Sequence, residues 1–462
     1  MGIVPSLGPP MKSFARAALY VFFVVAVPYG ILACWATAPS DAISDDAGIS
    51  ADAGPTSDVF SPTHDSSATT DANAVDSSDA NIDTAAPVYP YASTLIAAGI
   101  GFGCHIDGSG NVWCWGNNEY GQAGGTPSGT PVLHPQQVAG VTGATALALG
   151  DYHACAVTSG HAVYCWGLND AYQLGHASAT MGDVICPGTS GGQTLTCNGT
   201  PTAVSIPGSV SIAAAGAWTC AVGVDTTVQC WGAVQAVTAT GSIACGLGTA
   251  ATGGNCYPAP YAVTGVTGVA QLAVAFDHAC AVSSSGAVSC WGYNGEGQVS
   301  PQACPGSTCA TPILVAGLGA VSSVAVGDNF TCALLADAGA SCFGDNAYGE
   351  LGHAPGTSGD PSPDSGGAVF NATPTMVAGL GTASELVAGG GEAACAIVSG
   401  GAVDCWGQVS GASAPGTPTA VAGLPAMNAL GVPDDTYACG VATDGSVWCW
   451  YLTDGGAPAQ VQ

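Results

Sequence analysis

The chain has 462 residues and an extreme charge balance: 31 acidic side chains against two basic ones, a formal net charge of -29. Both basic residues, Lys12 and Arg16, lie near the start, so the remainder has neither Lys nor Arg. Nucleic-acid binding by phosphate neutralisation needs basic side chains and arginine-clamped carboxylate or phosphate sites need guanidinium groups; the composition excludes both.

Lys12 and Arg16 precede an apolar run from Ala17 to Ala33. A short basic start, an apolar stretch and small residues after it form an export signal, with Met11 as a second candidate start. The run ends Ile31-Leu32-Ala33-Cys34, which resembles a bacterial lipobox. Residues 1–34 are therefore expected to be a signal peptide with a lipobox-like end, and Cys34 its lipidation site. An uncleaved anchor, for which the run is almost long enough, and ordinary secretion stay open beside it.

Residues 35–90 are rich in Ala, Ser, Thr and Asp, contain no cysteine and show no apolar periodicity; ten of the 31 acidic residues lie between Asp41 and Asp83. Such a segment is expected to be a disordered linker. Its typical reach is about 40 Å for a flexible chain of this length, enough to hold a folded head clear of a lipid surface.

From residue 91 to 462 one unit repeats seven times. Cys104/Cys114, Cys155/Cys165, Cys220/Cys230, Cys280/Cys290, Cys332/Cys342, Cys395/Cys405 and Cys439/Cys449 are each ten residues apart. The second cysteine is followed by Trp115, Trp166, Trp231, Trp291, Phe343, Trp406 or Trp450, expected to pack within the repeat. In one copy, His153–Val157 and Val163–Trp166 flank a Ser/Gly turn, the pattern of a β-hairpin. Cysteines facing each other across antiparallel strands, at about 4.5 Å between Cα atoms in a non-hydrogen-bonded pair, can be bridged. Such bonds close short loops, so each is expected to clamp its own hairpin and not to tie distant parts together. Further apolar segments accompany each hairpin, such as Pro312–Leu318 and Val321–Val326, so each repeat offers about four short strands. Four strands repeated seven times, with no helical periodicity, predict an all-β, seven-bladed β-propeller. The first hairpin lacks a clear Pro-x-x-Val segment before it, whereas the C-terminus supplies Pro458–Gln462. The expectation is that this last strand completes the blade begun near Leu95 and closes the ring.

The remaining cysteines sharpen the compartment. Cys186/Cys197, Cys245/Cys256 and Cys304/Cys309 form three further pairs between repeats, leaving Cys34 as the odd one of 21. Lipidation accounts for an odd cysteine, and twenty paired cysteines need an oxidising compartment. The expected location is exported: a bacterial cell envelope, as an outer-membrane lipoprotein facing outward, or secreted. Trypsin is expected to find no site in such a mature protein.

The motif Gly-x-x-His-x-Cys-Ala-Val…Gly-x-Val-x-Cys-Trp-Gly-x-Asn-x-x-Gly-Gln, visible at Asn117–Gln122, Asn169–Gly175, Asn294–Gln298 and Asn346–Gly352, resembles the regulator of chromosome condensation repeat. The resemblance implies a seven-bladed propeller over about residues 92–462. After Trp231, Trp406 and Trp450 the Asn-x-x-Gly-Gln segment is missing, so the third, sixth and seventh blades depart from the pattern. The cysteine pairs are a further departure that suits export. The nucleotide-exchange and chromatin-binding activity of the family's founding member is not expected here, since it needs an intracellular partner and basic surface.

Candidate chemistry is sparse. His153 and His278 lie two residues before a hairpin cysteine, where other repeats carry Phe102, Trp218, Phe330, Ala393 and Tyr437; the position asks for a packing side chain. No zinc pattern occurs, and no cofactor motif either. Gly188–Gly192 matches a nucleophile elbow by letter, but not between a strand and a helix. Turn residues such as Asp151, Asp277 and Asp328 are expected to satisfy backbone donors. The better pointer is four long segments after the hairpins of blades two to five, about 176–201, 233–259, 299–311 and 353–373. They hold the same place in the repeat, so a propeller gathers them on one face, and preformed loops lose less entropy on binding. The expected function is a non-enzymatic, monomeric, surface-exposed module that recognises an extracellular protein or glycan through one propeller face. Nucleic acid is not an expected partner, and the membrane enters only through the N-terminal lipid or anchor. The alternatives are an inhibitor of an extracellular enzyme or a glycan hydrolase with an acidic channel site.

Overall fold

A computed structural model describes residues 96–187, 195–234, 243–244, 255–302, 304, 307–360, 369–389, 391–409, 416–432, 437–452 and 457–461. The signal and linker segments, Cys34, Gly188–Gly192 and Cys245 lie outside them. The described residues belong to one compact unit.

They form seven antiparallel sheets, with a turn of 3-10 helix at Ser399–Gly401. Blade one is Ile96–Gly99, Phe102–Ile106, Val112–Gly116 and Val132–Gln137, in that spatial order. Blade five repeats it with Val321–Val326, Phe330–Leu335, Ala340–Asp345 and Phe370–Met376. Blades two and three add a short fifth strand from their inserts, Val184–Ile185 and Ile243–Ala244. The first strand of each blade touches the first strand of the next, including Ile96–Gly99 against Met427–Gly431, so the ring is closed.

The closure differs from the expectation. Ala459–Gln460 pairs with Val447–Tyr451, Cys449 facing Ala459, and so completes blade seven. Blade one has its own outer strand, Val132–Gln137, in which Gln136 faces Cys114. The Pro-x-x-Val segment follows its own hairpin, and His134-Pro135-Gln136-Gln137-Val138 is the first example. The ring closes by packing and hydrogen bonds between blades one and seven.

In each blade the two cysteines of the hairpin oppose each other directly and are bonded. The pairs are Cys104–Cys114, Cys155–Cys165, Cys220–Cys230, Cys280–Cys290, Cys332–Cys342, Cys395–Cys405 and Cys439–Cys449, with Cα atoms 4.0–4.1 Å apart. This is the narrow spacing of a non-hydrogen-bonded pair. Cys186–Cys197 and Cys304–Cys309 are also bonded, and Cys256 is disulfide-bonded.

As expected, each of these bridges joins the two strands of one hairpin, and its surroundings extend further in two ways. First, the second cysteine of the pair lies on a third strand, so it also faces the outer strand. Cys165 faces Thr202, Cys342 faces Thr375 and Cys405 faces Thr419. The hydroxyls of Thr202 and Thr375 donate to the carbonyl oxygens of Cys165 and Cys342, each at 3.2 Å. Second, the bridges pack between blades. Cys104 and Cys114 of blade one share a core with Leu147 and Trp166 of blade two. Cys155 and Cys165 share one with Ile212 and Trp231 of blade three, and Cys220 and Cys230 with Leu272 and Trp291 of blade four. Cys332 and Cys342 meet Leu386 and Trp406 of blade six, and Cys395 and Cys405 meet Leu430 and Trp450 of blade seven. Cys439 and Cys449 meet Ile96 and Trp115 of blade one. Each layer joins the disulfide of one blade to the Trp of the next, with Phe343 in the Trp place of blade five. The reason is the alternation of a strand: the Trp after the second cysteine points to the opposite face of its sheet.

The glycine after that Trp has a physical reason. Gly167 has φ 110°, and a Cβ there would lie 2.5 Å from the Tyr152 carbonyl oxygen. The outer strands carry a proline at a common position, for example Pro135, Pro312 and Pro374. Proline removes a donor from an exposed strand edge and discourages edge-to-edge pairing.

The insert-bearing rim as candidate functional site

In an antiparallel blade the first and third strands run the same way. The connection from first to second strand and the connection from third to fourth therefore lie at the same end. Backbone bonds confirm the juxtaposition: Asn117 N–H to Gly101 O, Leu168 N–H to Tyr152 O, Tyr293 N–H to Asp277 O, Asp345 N–H to Asn329 O and Gln408 N–H to Glu392 O, all 2.8–2.9 Å. All four inserts leave from third strands, so their roots share this rim, as the sequence predicts. The hairpin turns occupy the other rim.

The Asn-x-x-Gly-Gln segment builds the corresponding connection of blade one and the roots of the inserts of blades two, four and five. The side-chain oxygen of Asn118, Asn169, Asn294 or Asn346 accepts the N–H five residues on, at 2.9–3.1 Å. The main-chain carbonyl of the last residue reaches the next blade. The indole N–H of Trp166 donates to Gln122 O at 3.0 Å, that of Trp231 to Gln173 O at 2.9 Å and that of Trp406 to Glu350 O at 2.9 Å. Blade five has Phe343 in place of Trp, and Gln298 O instead accepts the Thr331 hydroxyl at 2.8 Å. Trp115, Trp291 and Trp450 follow the three blades that lack the segment, and their buried indole N–H groups have no partner among the described residues.

Two inserts carry a device that the repeat reading missed. In blade two, Asp183 accepts from the Asn169 amide at 2.8 Å and lies 2.9 Å from His176 Nε2. In blade five, Asp360 accepts from the Asn346 amide at 2.6 Å and lies 3.1 Å from His353 Nε2. Both carboxylates are fully buried. The signal was present: Leu-Gly-His-Ala stands at 174–177 and again at 351–354, each His seven residues before its Asp. These staples pin the start of the insert to the blade.

Aromatic and acidic side chains populate the rim. Tyr120 meets Tyr152 edge-on with ring centroids 5.2 Å apart. Tyr348 is 45% exposed, and the nearby Glu392 carboxylate raises its hydroxyl's pKa, helped by burial and by Glu350 and Asp345. Tyr172 stands at φ 66°, where the sister segments place Gly121, Gly297 and Gly349. A tyrosine in that region is strained, and it packs beside Ala233 and Cys256 at the root of the blade-three insert. Burial raises the carboxyl groups of Asp170 and Asp345. The insert of blade two exposes Met181, Val184 and Ile185.

The histidine position does more than pack. His153, His278, Trp218 and Tyr437 are all buried, and each reaches the following blade. His153 Nε2 is 2.7 Å from the Thr219 hydroxyl, and His278 Nε2 is 2.9 Å from that of Thr331. Trp218 donates to Ala275 O at 2.8 Å, and the Tyr437 hydroxyl donates to Gly99 O at 2.7 Å. Phe102, Phe330 and Ala393 are buried without such a bond to give. Burial lowers the His153 pKa to about 3. Among the described residues no group of three or more His, Cys, Asp or Glu side chains is arranged to hold a metal ion. The capping role predicted for turn aspartates is seen on the hairpin rim, where Asp107, Asp225, Asp337 and Asp444 accept from the N–H two residues on. Asp151, Asp277 and Asp328 lie in the connections of the insert rim.

The axial channel is a cavity of about 680 Å³ walled by the first strands of all seven blades. Its wall is mainly Ala, Val, Leu and Ile, with Ser211, Gln271, Ser323, Ser384, Glu385 and Asn428 as its polar side chains.

Comparison with known proteins agrees with this geometry. The model of the regulator of chromosome condensation (RCC1) repeat matches residues 94–122, 144–173, 269–298 and 321–350, and a second model of the same repeat matches 109–157. These are blades one, two, four and five, the ones with the Asn-x-x-Gly-Gln segment. The crystal structure of Kap60 bound to yeast RCC1 (Prp20) matches at 19% identity and TM-score 0.60, over 76% of this chain and 83% of that one. Prp20p from Saccharomyces cerevisiae matches at 18% identity and TM-score 0.59, over 76% and 86%. Human WBSCR16 matches at 17% identity and TM-score 0.58, over 76% and 94%. At such identities the likeness speaks for the fold. The chain is a seven-bladed β-propeller that carries regulator of chromosome condensation (RCC1) repeats.

Proposed function

We propose that this protein is a binding module whose insert-bearing rim recognises an extracellular protein or glycan. A propeller of RCC1-like repeats suggests an interaction role, and the names of similar structures mention protein partners: Kap60 for yeast RCC1, and Gsp1p and histones for Prp20p. The observation that carries the reading is the shared root of the inserts, stiffened by Asn–Asp–His staples in blades two and five and by a disulfide from Cys186 to Cys197 in blade two. Preformed loops lose less entropy when they bind. The rim offers tyrosines and carboxylates and neither Lys nor Arg, which suits the hydroxyls of a glycan or the donors of a protein surface.

The bridges also support a place outside the cytoplasm, since paired cysteines persist in oxidising compartments. Lipid attachment at Cys34 and a reach through residues 35–90 complete the proposal. No helix among the described residues is long and apolar enough to cross a membrane.

The test is capture of partners from cell-envelope extract and culture fluid by the full chain, paired with a glycan array. A second bait replaces the inserts of blades two and five with the short connection of blade one. The proposal expects the intact chain to retain a partner that the shortened chain loses. Equal capture by both would remove the inserts from recognition.

A further inference from the structure

Two carboxylic acids occupy places that sister blades give to glutamine. At the end of Asn-x-x-Gly-Gln, the side-chain oxygens of Gln122, Gln173 and Gln298 accept the N–H two residues earlier, at 2.9, 2.9 and 3.1 Å. In blade five Glu350 Oε2 takes the same bond from Tyr348 N–H at 2.9 Å. The other arm of glutamine is a donor: Gln173 gives to Asp170 at 3.2 Å and Gln298 to Glu296 at 3.4 Å. Glu350 Oε1 stands in that donor's place, buried and without a partner among the described residues.

The second acid is Glu385, on the first strand of blade six. Its counterpart in blade four, Gln271, faces Val282 across the sheet as Glu385 faces Ile397. Gln271 spans to blade five with both arms: Oε1 accepts from Val324 N–H and Nε2 donates to Val324 O, each at 3.0 Å. Glu385 accepts from Leu430 N–H of blade seven, the residue that corresponds to Val324. An ionised carboxylate copies only the accepting half of glutamine; a protonated one copies both.

We propose that Glu350 and Glu385 are protonated in the folded protein and serve as acid-form substitutes for glutamine, so that the sector of blades five, six and seven is a latch that loosens as pH rises. Burial pushes Glu350 up to about 8, and the carboxylates of Asp345 and Glu392 add to the push. Burial pushes Glu385 up to about 7, against the opposing bond from Leu430 N–H. The groups around Glu350 are Asp345 and Tyr348 of its own connection and Glu392 of blade six. The channel wall beside Glu385 holds no other titratable side chain. With no Lys or Arg after residue 16, none is available to balance either charge.

The sign follows from the raised folded values. Below pH 4.5 both acids are neutral, folded or unfolded, and their own contribution to stability is complete. From 4.5 towards 8 for Glu350, and towards 7 for Glu385, the unfolded chain gives up the proton first. The folding constant then falls about tenfold per pH unit for each acid, and levels off above the folded pKa.

The chain has five glutamates, Glu119, Glu296, Glu350, Glu385 and Glu392, so carboxyl ¹³C NMR of the full protein resolves the question. Two resonances are expected to titrate near 8 and 7, and to vanish singly in Glu350→Gln and Glu385→Gln. The double variant is expected to lose the fall in folding constant, about tenfold per unit for each acid, measured in guanidinium between about pH 5 and 8. The reverse change, Gln271→Glu, is expected to install a new raised titration. Five glutamates all titrating near 4.5 would overturn the proposal, as would an unchanged stability slope in the double variant.

Discussion

The Tyr437 hydroxyl donates to the Gly99 carbonyl oxygen at 2.7 Å and lies 3.2 Å from that of Phe102, joining the seventh blade to the first across 338 residues of sequence. The same seam holds Ile96, Trp115, Ala429 and Cys439 in one buried cluster. No strand is exchanged between the two blades, so side chains bear the closure. Tyr437→Phe should lower stability by about 1–2 kcal/mol, the loss of a buried hydrogen bond that leaves acceptors behind. Guanidinium unfolding checks this. Removing residues 457–462 should affect blade seven, in which Ala459–Gln460 pairs with Val447–Tyr451, while hydrogen exchange of Phe102–Ile106 stays unchanged.

The tryptophans form a graded series. Trp166, Trp231 and Trp406 donate to a carbonyl of the preceding blade, whereas Trp115, Trp291 and Trp450 have no partner among the described residues. Each sits in the same kind of layer, so Trp→Phe removes similar apolar area everywhere. The difference between the groups isolates the hydrogen bond. Trp231→Phe should cost about 1 kcal/mol more than Trp291→Phe, measured by denaturant midpoint. Equal losses would contradict the assignment.

His153 predicts the acid limb of stability. Burial depresses its pKa to about 3 from 6.5. A depressed folded value means full stability above pH 6.5, lost as pH falls from 6.5 towards 3, because only the unfolded chain takes up the proton. The folding constant should fall about tenfold per unit in that window. His153→Phe, which places there the residue found at Phe102 and Phe330, should remove this contribution. Stability of the two proteins at about pH 7 and pH 4.5, either side of the ordinary histidine range, supplies the comparison.

Each hairpin bridge closes a loop of about ten residues. Replacing both Cys280 and Cys290 with Ser should cost about 2.5–3 kcal/mol on the chain-entropy account. The loss should concentrate where these sulfurs pack, against Val324 and Phe343 of blade five. Hydrogen exchange of Phe330–Leu335 should therefore rise more than that of Ala393–Val398.

Much of the fold was legible because each repeat carries its own marks. The ten-residue cysteine spacing located the hairpins, and Asn-x-x-Gly-Gln located the insert roots. The phase of the blade was not legible. A Pro-x-x-Val segment lies between two hairpins in sequence, and only packing decides which one it joins. The reach of Cys165, Cys342 and Cys405 beyond their hairpins was hidden for the same reason, since it depends on which outer strand lies beside them. The connector role of His153 and Tyr437 was half visible: planar residues at one position announced packing, but the bond to the next blade depends on ring geometry. The Asn169–Asp183–His176 staple was visible as a repeated spacing within segments otherwise read as loops. Glu350 and Glu385 looked like ordinary carboxylates until register placed them beside Gln298 and Gln271.

Hydroxyl-radical footprinting of the full chain, free and with its captured partner, locates the contact surface on the propeller. Met181 and Tyr348 belong to the insert-bearing rim and are 59% and 45% exposed; Met376, on an outer strand, is 56% exposed. Recognition through the insert-bearing rim predicts that the partner protects Met181 and Tyr348 from oxidation and leaves Met376 unchanged. Protection of Met376 with Met181 and Tyr348 still reactive would contradict it and move recognition to the blade edges.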